Sequence, residues 1–436
     1  MVFQNNLLAG ASGATGTAPF NTTLIGNSVW LDGSADELTR STTSHSSTEC
    51  VMACWFQLNT FTTGNIGLMG LGTGTSGSTN AGLWFSGNAL YFYANGQGSV
   101  TTQLFRDIGW YHVLGSWKLD ESNMDKGRLF INGEEVTSFS DDRRDNWGTS
   151  FGSTATQSVG SAFDTTMFTG YIAQPIMLDG QSVQGGDVAI TDFVDTFTFG
   201  TNGSQAIPKK DSEVAALASS AGGNSFCLDF SDSSGTDAVN LGNDISSGNK
   251  DLTPSSMAAA NQSVHTPSLV YPIMNPLNQD HSTSTTLSEG NLKVSMGTAA
   301  GDGIKATLPC SGKVYWEVEI DSISSNSGSN IGIATNNHNL ALTADDTSGN
   351  GQRDAFVGIS SFDSNLKGFI SGSNFDSSYG GLGNNFGTAG KYLMFAVDID
   401  AGKFWAGYDG TWFDSGNPAS GSDDSGKNLS LYDGWM

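Results

Sequence analysis

Three acidic residues alternate along one stretch in the second half of the chain, at Glu317, Glu319 and Asp321. Period-two spacing on a strand brings such side chains to one face, and paired carboxylates can act as acid and as nucleophile or base in glycoside hydrolysis. A solvated strand face produces the same spacing. We interpret the three residues as such a face, and the sequence therefore predicts no catalytic residue and no enzymatic activity.

Other sequence motifs lack a chemically essential part. Residues 421–428 approach a glycine-rich phosphate-binding loop, but Asn428 stands where a hydroxyl must bind magnesium, and Asp423 and Asp424 repel phosphate. None of the 5 histidines and 4 cysteines lies in a nucleophile or metal-pair motif. His112 follows Tyr111 on a predicted strand, so we expect a hydrogen-bonded structural imidazole there. The sequence predicts no required cofactor.

Calcium binds carboxylate and carbonyl oxygens, and the chain carries several clusters of acidic residues. The clusters are Asp141-Asp142, Asp229/Asp232/Asp237 and Asp345-Asp346. None of them follows the Asp-x-Asp-x-Asp-Gly spacing of a calcium loop. The sequence therefore leaves a structural calcium ion open and assigns no metal ligands.

A cluster of aromatic residues offers a different chemistry. In a strand over residues 90–93, period two places Tyr91 and Tyr93 on the face opposite Phe92. If Phe92 lies in the core, both tyrosines face outward beside Trp84. The C–H face of a sugar ring stacks on such side chains, so Trp84, Tyr91 and Tyr93 are candidate ligand-binding residues, with simple packing as the alternative. The same two interpretations apply in the second half to Trp405, Tyr408 and Trp412.

The composition excludes several classes of partner. The 436 residues include 18 Lys+Arg and 43 Asp+Glu, so the formal net charge is −25. Such a surface repels phosphate backbones and anionic lipids, and we expect no nucleic-acid partner. The apolar runs at 51–56 and 392–397 are far below the ~18 residues that span a bilayer, so we expect no membrane insertion. No Lys or Arg precedes Arg40, which argues against a secretion signal and favours assembly in a cytoplasm.

The elements that position these residues are predicted to be strands. With 57 glycines and 14% charged residues, the chain is poor in helix-forming surface patterns. Short apolar runs separated by Gly, Asn, Asp and Ser are typical of antiparallel β-sandwiches. Asn132-Gly133 and Asp409-Gly410 follow such runs and predict hairpin turns, because these residues tolerate positive φ.

The pattern divides the chain into four segments. Residues 1–27 are rich in Gly, Ala, Thr and Asn, and we interpret them as an arm that docks on a partner. Residues 28–210 form a first β-sandwich, and residues 211–282 form an irregular connector with one short helix over 212–221. Residues 283–436 form a second β-sandwich. The apolar residues of the arm, which are the candidate attachment residues, are Val2, Phe3, Leu7 and Leu8.

Five segments of the first half follow one another with a recognisable spacing. They are Trp30-Leu31-Asp32-Gly33, residues 51–58 (VMACWFQL), residues 109–113 with Trp117, residues 130–134 (FINGE) and residues 168–173 (FTGYIA). Together they resemble the concanavalin-A-like or laminin-G-like β-sandwich. The resemblance implies a jelly roll over about residues 28 to 200.

Two segments of the second half are similar to the SPRY domain. They are residues 311–319 (SGKVYWEVE) and residues 397–412 (VDIDAGKFWAGYDGTW). The resemblance implies a second two-sheet sandwich, so the whole chain is expected to hold two tandem antiparallel sandwiches. A SPRY domain normally continues past this hairpin with further strands, and we therefore expect the second domain to be incomplete at its C-terminus.

The leader MVFQNNLL, the tandem of domains and the connector together resemble virion structural proteins of tailed bacteriophages. The resemblance implies a non-enzymatic tail-fibre or receptor-binding protein at the virion surface, assembled in the host cytoplasm. Its implied partners are other tail or capsid proteins, copies of itself with a trimer favoured, and a host surface glycan or protein. Two alternatives stay open, namely a purely structural decoration protein and a glycoside hydrolase on a lectin-like fold.

Overall fold

The computed structural model describes residues 24–42, 44–59, 64–72, 80–152, 155–162, 167–198, 204–235, 240–280, 285–296, 303–322, 330–335, 356–360, 366–370, 373–377, 389–422 and 429. The chain divides into two compact units. The first is Met1–Tyr271 with Ser288–Gly290, and the second is Pro272–Leu287 with Asn291–Met436. Strands dominate both units, and the described residues contain one α-helix. The all-β class predicted from the sequence is confirmed.

The first unit is built from strands β1 to β18. Their bounds are β1 (Ser28–Asp32), β2 (Glu37–Thr42), β3 (Glu49–Leu58), β4 (Asn65–Gly72), β5 (Ala81–Ser86), β6 (Ala89–Ala94), β7 (Gln97–Leu104), β8 (Trp110–Lys118), β9 (Gly127–Ile131), β10 (Glu134–Glu135), β11 (Phe139–Asp141), β12 (Ala155–Val159), β13 (Thr169–Asp179), β14 (Val194–Thr198), β15 (Ser204–Pro208), β16 (Phe226–Cys227), β17 (Thr253–Ser255) and β18 (Gln262–Ser263). Short 3₁₀ helices lie at Asn123–Lys126, Arg144–Asn146, Ile190–Asp192 and Ala259–Asn261.

These strands form two large antiparallel sheets. Sheet I has the order β10-β9-β8-β3-β13-β1-β18, with β16 also paired to β13. Sheet II has the order β11-β7-β6-β5-β4-β12-β2-β17, and β14 pairs with β15 separately.

The core of the first unit lies between sheet I and sheet II. Phe56 of β3 contacts Phe85 of β5 with ring centroids 5.2 Å apart, and Trp117 of β8 contacts Phe92 of β6 at 4.8 Å. All four side chains are buried. Because these contacts join strands of different sheets, the first unit is a two-layer β-sandwich.

Helix α1 (Asp211–Ala221) covers the outer face of sheet I. Its first turn is closed by the Lys210 N–H, which donates to Glu213 Oε2 at 3.3 Å, and it ends at Gly222 with a φ of +66°. Val214 is buried against the sheet. Strands β3 and β13 are consequently covered on both faces, which explains their nearly continuous apolar sequence.

Residues 211–271 belong to the first unit, although the sequence predicted an irregular connector up to residue 282. Phe226 and Phe230 lie in the core of that unit. The polar residues around them close turns, since the Asp244 carboxylate accepts a hydrogen bond from the Cys227 N–H at 2.9 Å. A side-chain carboxylate that satisfies backbone donors lets a segment with few regular strands pack inside a domain. The structure therefore differs from the predicted connector. A segment rich in turn-forming residues need not lie on the surface, because its turns can be closed inside a domain.

Strands β19 to β30 follow. Their bounds are β19 (Met274–Asp280), β20 (Thr286–Ser288), β21 (Lys293–Ser295), β22 (Gly303–Ala306), β23 (Lys313–Ile320), β24 (Asn330–Ala334), β25 (Phe356–Ser360), β26 (Leu366–Ile370), β27 (Ser373–Ser377), β28 (Lys391–Asp398), β29 (Lys403–Tyr408) and β30 (Thr411–Trp412), with a 3₁₀ helix at Phe413–Ser415. Sheet III has the order β23-β28-β29-β30, and sheet IV has the order β24-β25-β26-β27. Strand β19 pairs with β22, and β20 pairs with β21.

The buried cluster of the second unit takes side chains from both of its four-stranded sheets. Leu393 and Phe395 of β28 lie in it together with Val357 and Ile359 of β25. The second unit therefore also has two antiparallel sheets around one core, in agreement with the predicted fold class.

Two predicted hairpin turns have the expected backbone conformation. Asn132 and Gly133 join β9 to β10 with φ of +52° and +84°. Asp409 and Gly410 join β29 to β30 with φ of +48° and +84°. Positive φ at both central residues identifies type I′ turns, so these two local predictions are confirmed.

Candidate functional site

Three aromatic side chains meet on the outer face of sheet II. Trp84 of β5 lies directly across from Tyr91 of β6, with ring centroids 5.8 Å apart and the planes inclined by 13°. The rings of Trp84 and Tyr93 are 4.5 Å apart. Phe92 points the other way and is 0% exposed, whereas the three outward rings are half-buried. We call Trp84, Tyr91 and Tyr93 the aromatic face, and the structure brings all three together.

A glycine on the next strand sets the environment of these rings. Gly98 of β7 lies across from Tyr93 in the strand register. A Cβ atom at Gly98 would stand 2.9 Å from Tyr91 Cδ1 and 3.6 Å from Tyr93 Cδ2. The tyrosine rings therefore occupy the space that a side chain on β7 would fill. The sequence analysis missed Gly98, because its role depends on a cross-strand register that a single strand pattern does not reveal.

The aromatic face combines flat apolar surface with hydroxyl groups. Burial raises the pKa of the Tyr93 hydroxyl, which remains protonated at neutral pH and can donate a hydrogen bond. Flat rings beside hydroxyl donors are the elements with which proteins recognise a pyranose, whose C–H face is apolar and whose rim is polar.

The aromatic residues of the second unit divide between core and surface. Trp405 is 2% exposed, and its Nε1–H donates to the Ser422 carbonyl at 2.9 Å. Tyr408 packs against the core of that unit. Trp412 is half-buried and meets Tyr315 edge to face, with centroids 6.1 Å apart. Packing therefore accounts for Tyr408, while Trp405 and Trp412 both line a cavity of about 390 Å³.

The alternating acidic row lies on the exposed face of β23 and just after it. Glu317, Glu319 and Asp321 are all exposed. Glu317 accepts a hydrogen bond from the Tyr315 hydroxyl, and Asp321 forms an ion pair with Lys293. These contacts are those of a solvent-facing row, as the spacing predicted.

The sequence analysis did not single out Asp211, whose carboxyl group has a strongly raised pKa. Asp211 begins α1, and its carboxylate accepts hydrogen bonds from Gln174 Nε2 at 2.9 Å and the Gly26 N–H at 3.4 Å. Burial raises its pKa to about 7, and the charge of Asp229 contributes in the same direction. Both carboxylates line a cavity of about 580 Å³. The sequence carries no signal for this, because Asp is also the ordinary residue at a helix start.

The candidate calcium clusters have other partners where the structure describes them. Asp141 pairs with Arg143 at 2.7 Å, and Asp142 pairs with Arg144 at 2.7 Å. Among the described residues, no group of three or more His, Cys, Asp or Glu side chains is placed to hold a metal ion. Asp229 accepts a hydrogen bond from the Ser231 N–H at 3.0 Å, and Asp232 accepts one from the Ser234 N–H at 2.8 Å. Other predicted residues lie outside the described ranges, namely Asp237, Asp345, Asp346 and the attachment residues Val2, Phe3, Leu7 and Leu8.

His112 is buried, as expected for a structural imidazole. The prediction that its ring is hydrogen-bonded is wrong for the Nδ1 atom. Neither His112 Nδ1 nor Trp55 Nε1 finds a hydrogen-bond partner within the described part of the chain. The two rings lie 5.2 Å apart at an edge-to-face angle. Burial lowers the pKa of His112 to about 3, so the imidazole is neutral.

Within the ranges that the structure describes, no helix has the length and apolar character needed to cross a membrane.

Comparison with known proteins identifies no family for this chain. No family model and no curated protein matches. Among solved structures, the chain is similar to domains LG4-5 of the mouse laminin alpha1 chain, with 10% identity, a TM-score of 0.29 and coverage of 95% of this chain and 83% of that one.

Two further solved structures are similar over a smaller part of the chain. One is a Bacteroides ovatus protein described as carbohydrate-binding, with 14% identity, a TM-score of 0.26 and coverage of 36% of this chain and 44% of that one. The other is the enzymatically active domain of tailspike protein 2 of bacteriophage CBA120, with 14% identity, a TM-score of 0.27 and coverage of 41% and 31%. This chain thus spans less than half of either of the two. TM-scores this low carry no argument about its function.

Proposed function

We propose that this chain is a non-enzymatic, carbohydrate-binding surface protein of a tailed-bacteriophage particle, acting in host attachment. The single observation that supports carbohydrate binding is the aromatic face of the first unit. The support for a virion location is the sequence resemblance of the leader and the tandem of domains. The arm at residues 1–27 attaches to tail or capsid proteins, and the sandwiches assemble as a homo-oligomer, with a trimer favoured.

The aromatic face supports binding of a sugar because of where its rings lie. A strand side chain that only packs would be expected inside, as Phe92 is, whereas Trp84, Tyr91 and Tyr93 remain partly exposed on the opposite face. Three adjacent rings with phenol hydroxyls give a pyranose both its apolar and its polar contacts. Stacking needs no ion, so the proposed binding requires no calcium.

Affinity electrophoresis of the full chain in gels containing mannan, galactan, laminarin or dextran tests this proposal. We expect at least one polysaccharide to retard the chain, equally well in EDTA. Trp84→Ala should weaken that binding by about tenfold, the size of one aromatic stacking contact. Tyr271→Ala removes an exposed tyrosine of the same unit that lies outside the aromatic face, and should bind like the wild type. Equal binding of Trp84→Ala and wild type would refute the aromatic face as the site.

The virion location has a separate test. Particles purified by density gradient should contain the chain, and a variant lacking residues 1–23 should remain in the supernatant of an assembly reaction. Residues 24–27 are kept because Ile25 is buried in the first unit. Analytical ultracentrifugation of the free chain measures whether it is a trimer. A chain that never sediments with particles would contradict the attachment role while leaving sugar binding intact.

One observation favours glycoside hydrolysis as a second candidate function. Asp211 and Asp229 line the same cavity, and the raised pKa of Asp211 is the property of a general acid next to a second carboxylate. Reducing-sugar release from the same four polysaccharides, lost in Asp211→Asn and in Asp229→Asn, would establish this function. Absence of product over days at pH 5 to 7 would leave Asp211 with its structural hydrogen bonds alone.

A further inference from the structure

A cavity on the outer face of sheet III has the components of a binding site. It is lined by Tyr315 and Lys313 of β23, Asp398 of β28 and Trp412 of β30, with the turn at residues 417–419 as one wall. Its volume is about 390 Å³, enough for one or two sugar rings. We call this the sheet III groove.

The floor and one wall of the groove are fixed by the protein itself. Tyr315 lies across from Ala396, which lies across from Trp405, so a small residue leaves space between two aromatic ones. The Trp405 Nε1–H donates to the Ser422 carbonyl at 2.9 Å, and Lys403 Nζ donates to the Gly421 carbonyl. These bonds hold the turn over the sheet. The groove is therefore formed before any ligand arrives, which lowers the entropic cost of binding.

The walls of the groove present apolar and polar groups side by side. Tyr315 is 53% exposed and meets Trp412 edge to face. Lys313 Nζ lies 3.7 Å from Asp398 Oδ2, which is longer than a hydrogen bond, so the ammonium and the carboxylate can each bond a ligand. The other oxygen, Asp398 Oδ1, accepts the Ala401 N–H at 3.0 Å, which orients the carboxylate.

We infer that the sheet III groove is a second carbohydrate site, specific for a neutral pyranose with two adjacent free hydroxyls. One hydroxyl donates to Asp398 while its neighbour accepts from Lys313, and the ring packs on Tyr315 and Trp412. A uronic or sialic acid is disfavoured, because Asp398 and Glu317 would repel its carboxylate. This inference rests on the proposed function only in the class of ligand, since the residues belong to a different unit.

The test uses the full chain and the same four neutral polysaccharides. In a Trp84→Ala background, in which binding by the aromatic face is weakened, we expect residual binding. Adding Tyr315→Ala should reduce that binding by about tenfold or more. Asp398→Asn, which keeps an acceptor for the Ala401 N–H, should have a similar effect. The matched control is Tyr392→Ala, an exposed tyrosine of the same sheet face that does not line the groove.

The outcomes separate the two sites. If Trp84→Ala alone abolishes binding to every polysaccharide, or if Tyr315→Ala and Asp398→Asn change nothing in that background, the second site is refuted and the aromatic face stands. If Trp84→Ala has no effect and Tyr315→Ala abolishes binding, the groove stands and the aromatic face is refuted. If the wild type binds none of the four polysaccharides, both sites are refuted. Thermal unfolding of each variant shows whether it is folded.

Discussion

Gly98 determines how Tyr91 and Tyr93 lie on sheet II, because their rings use the space above its α-carbon. We expect Gly98→Ala to weaken polysaccharide binding about three- to tenfold, since the new methyl group would stand 2.9 Å from Tyr91 Cδ1 and displace that ring. No aromatic residue is removed by this change. Affinity electrophoresis measures the effect.

The control for that substitution is Gly64→Ala, at the residue just before β4. A Cβ at Gly64 meets no atom within 4 Å, so this variant should bind like the wild type. Unchanged binding of Gly98→Ala would show that the tyrosine rings need not keep this arrangement.

Asp211 makes stability depend on pH in a direction unusual for a carboxylate. Its pKa is raised from 3.8 to about 7, so between these values the folded chain holds a proton that the unfolded chain has released. Raising the pH from 4 to 7 therefore removes stability contributed by Asp211, by at most about 4 kcal/mol of unfolding free energy at about 1.36 kcal/mol per unit. We expect Asp211→Asn to remove this loss.

Urea denaturation at pH 4.5 and pH 8 measures the difference in unfolding free energy between Asp211→Asn and wild type. The free energy of unfolding of Asp211→Asn, relative to that of the wild type, should be larger at pH 8 than at pH 4.5. Asp145→Asn, at an exposed carboxylate, serves as the control. A difference that is the same at both pH values would contradict the buried, protonated Asp211.

At the scale of elements, β13 is an interior strand of sheet I and pairs with both β1 and β3. Gly170 has a φ of +146°, and a Cβ there would overlap the backbone oxygen of Gln57. We expect Gly170→Ala to lower the free energy of unfolding by about 3 kcal/mol, from the strained φ and from overpacking. Chemical denaturation measures this.

Gly180→Ala, just after β13, is the matched control. Gly180 also has a positive φ, of +73°, but a Cβ there would make only ordinary contact with Ser46 at 3.6 Å. Its expected cost is about 1 kcal/mol, from the backbone conformation alone. Equal costs at the two positions would show that the contact with Gln57 relaxes freely.

Turns and the short helix could be predicted from the sequence more readily than the long-range contacts that bury a segment. The turns at Asn132-Gly133 and Asp409-Gly410 and a short helix near residue 212 depend on a few neighbouring residues, and the structure has all three. The segment after α1 was predicted as a connector, because Ser, Asn, Asp, Gly and Pro dominate residues 231–276, and that composition does not reveal that Phe226 and Phe230 lie in a core. Only contacts with distant strands bury them.

At the scale of the whole molecule, the pH dependence of the unfolding free energy combines buried groups that act in opposite directions. Asp211 stabilises the folded chain at low pH, whereas two buried histidines destabilise it there. Burial lowers the pKa of His265 to about 4, and its Nδ1 accepts the Tyr271 N–H at 3.0 Å. With His112 at about 3, both imidazoles stay neutral in the folded chain while those of the unfolded chain take up protons below about 6.5. Stability from the histidines is therefore present above about pH 6.5 and is lost as the pH falls.

We expect the wild-type chain to lose about 3 kcal/mol of unfolding free energy from pH 6.5 to pH 4, because Asp211 offsets about half of the histidine effect. Asp211→Asn should make this loss about twice as steep. Urea midpoints across the pH range, followed by tryptophan fluorescence, measure both slopes. A wild-type chain of constant stability over this interval would contradict the lowered histidine pKa values.

The sequence alone determined the β class, the hairpin turns and the position of Tyr91 and Tyr93 opposite Phe92 on β6, because alternation and turn conformation depend on residues close in the chain. Tertiary structure decided which residues work together. The position of Gly98 beneath the tyrosines, the burial of Asp211 and the different exposures of Trp405 and Trp412 all depend on strand register and packing between distant segments. Those are long-range interactions, and no local pattern encodes them.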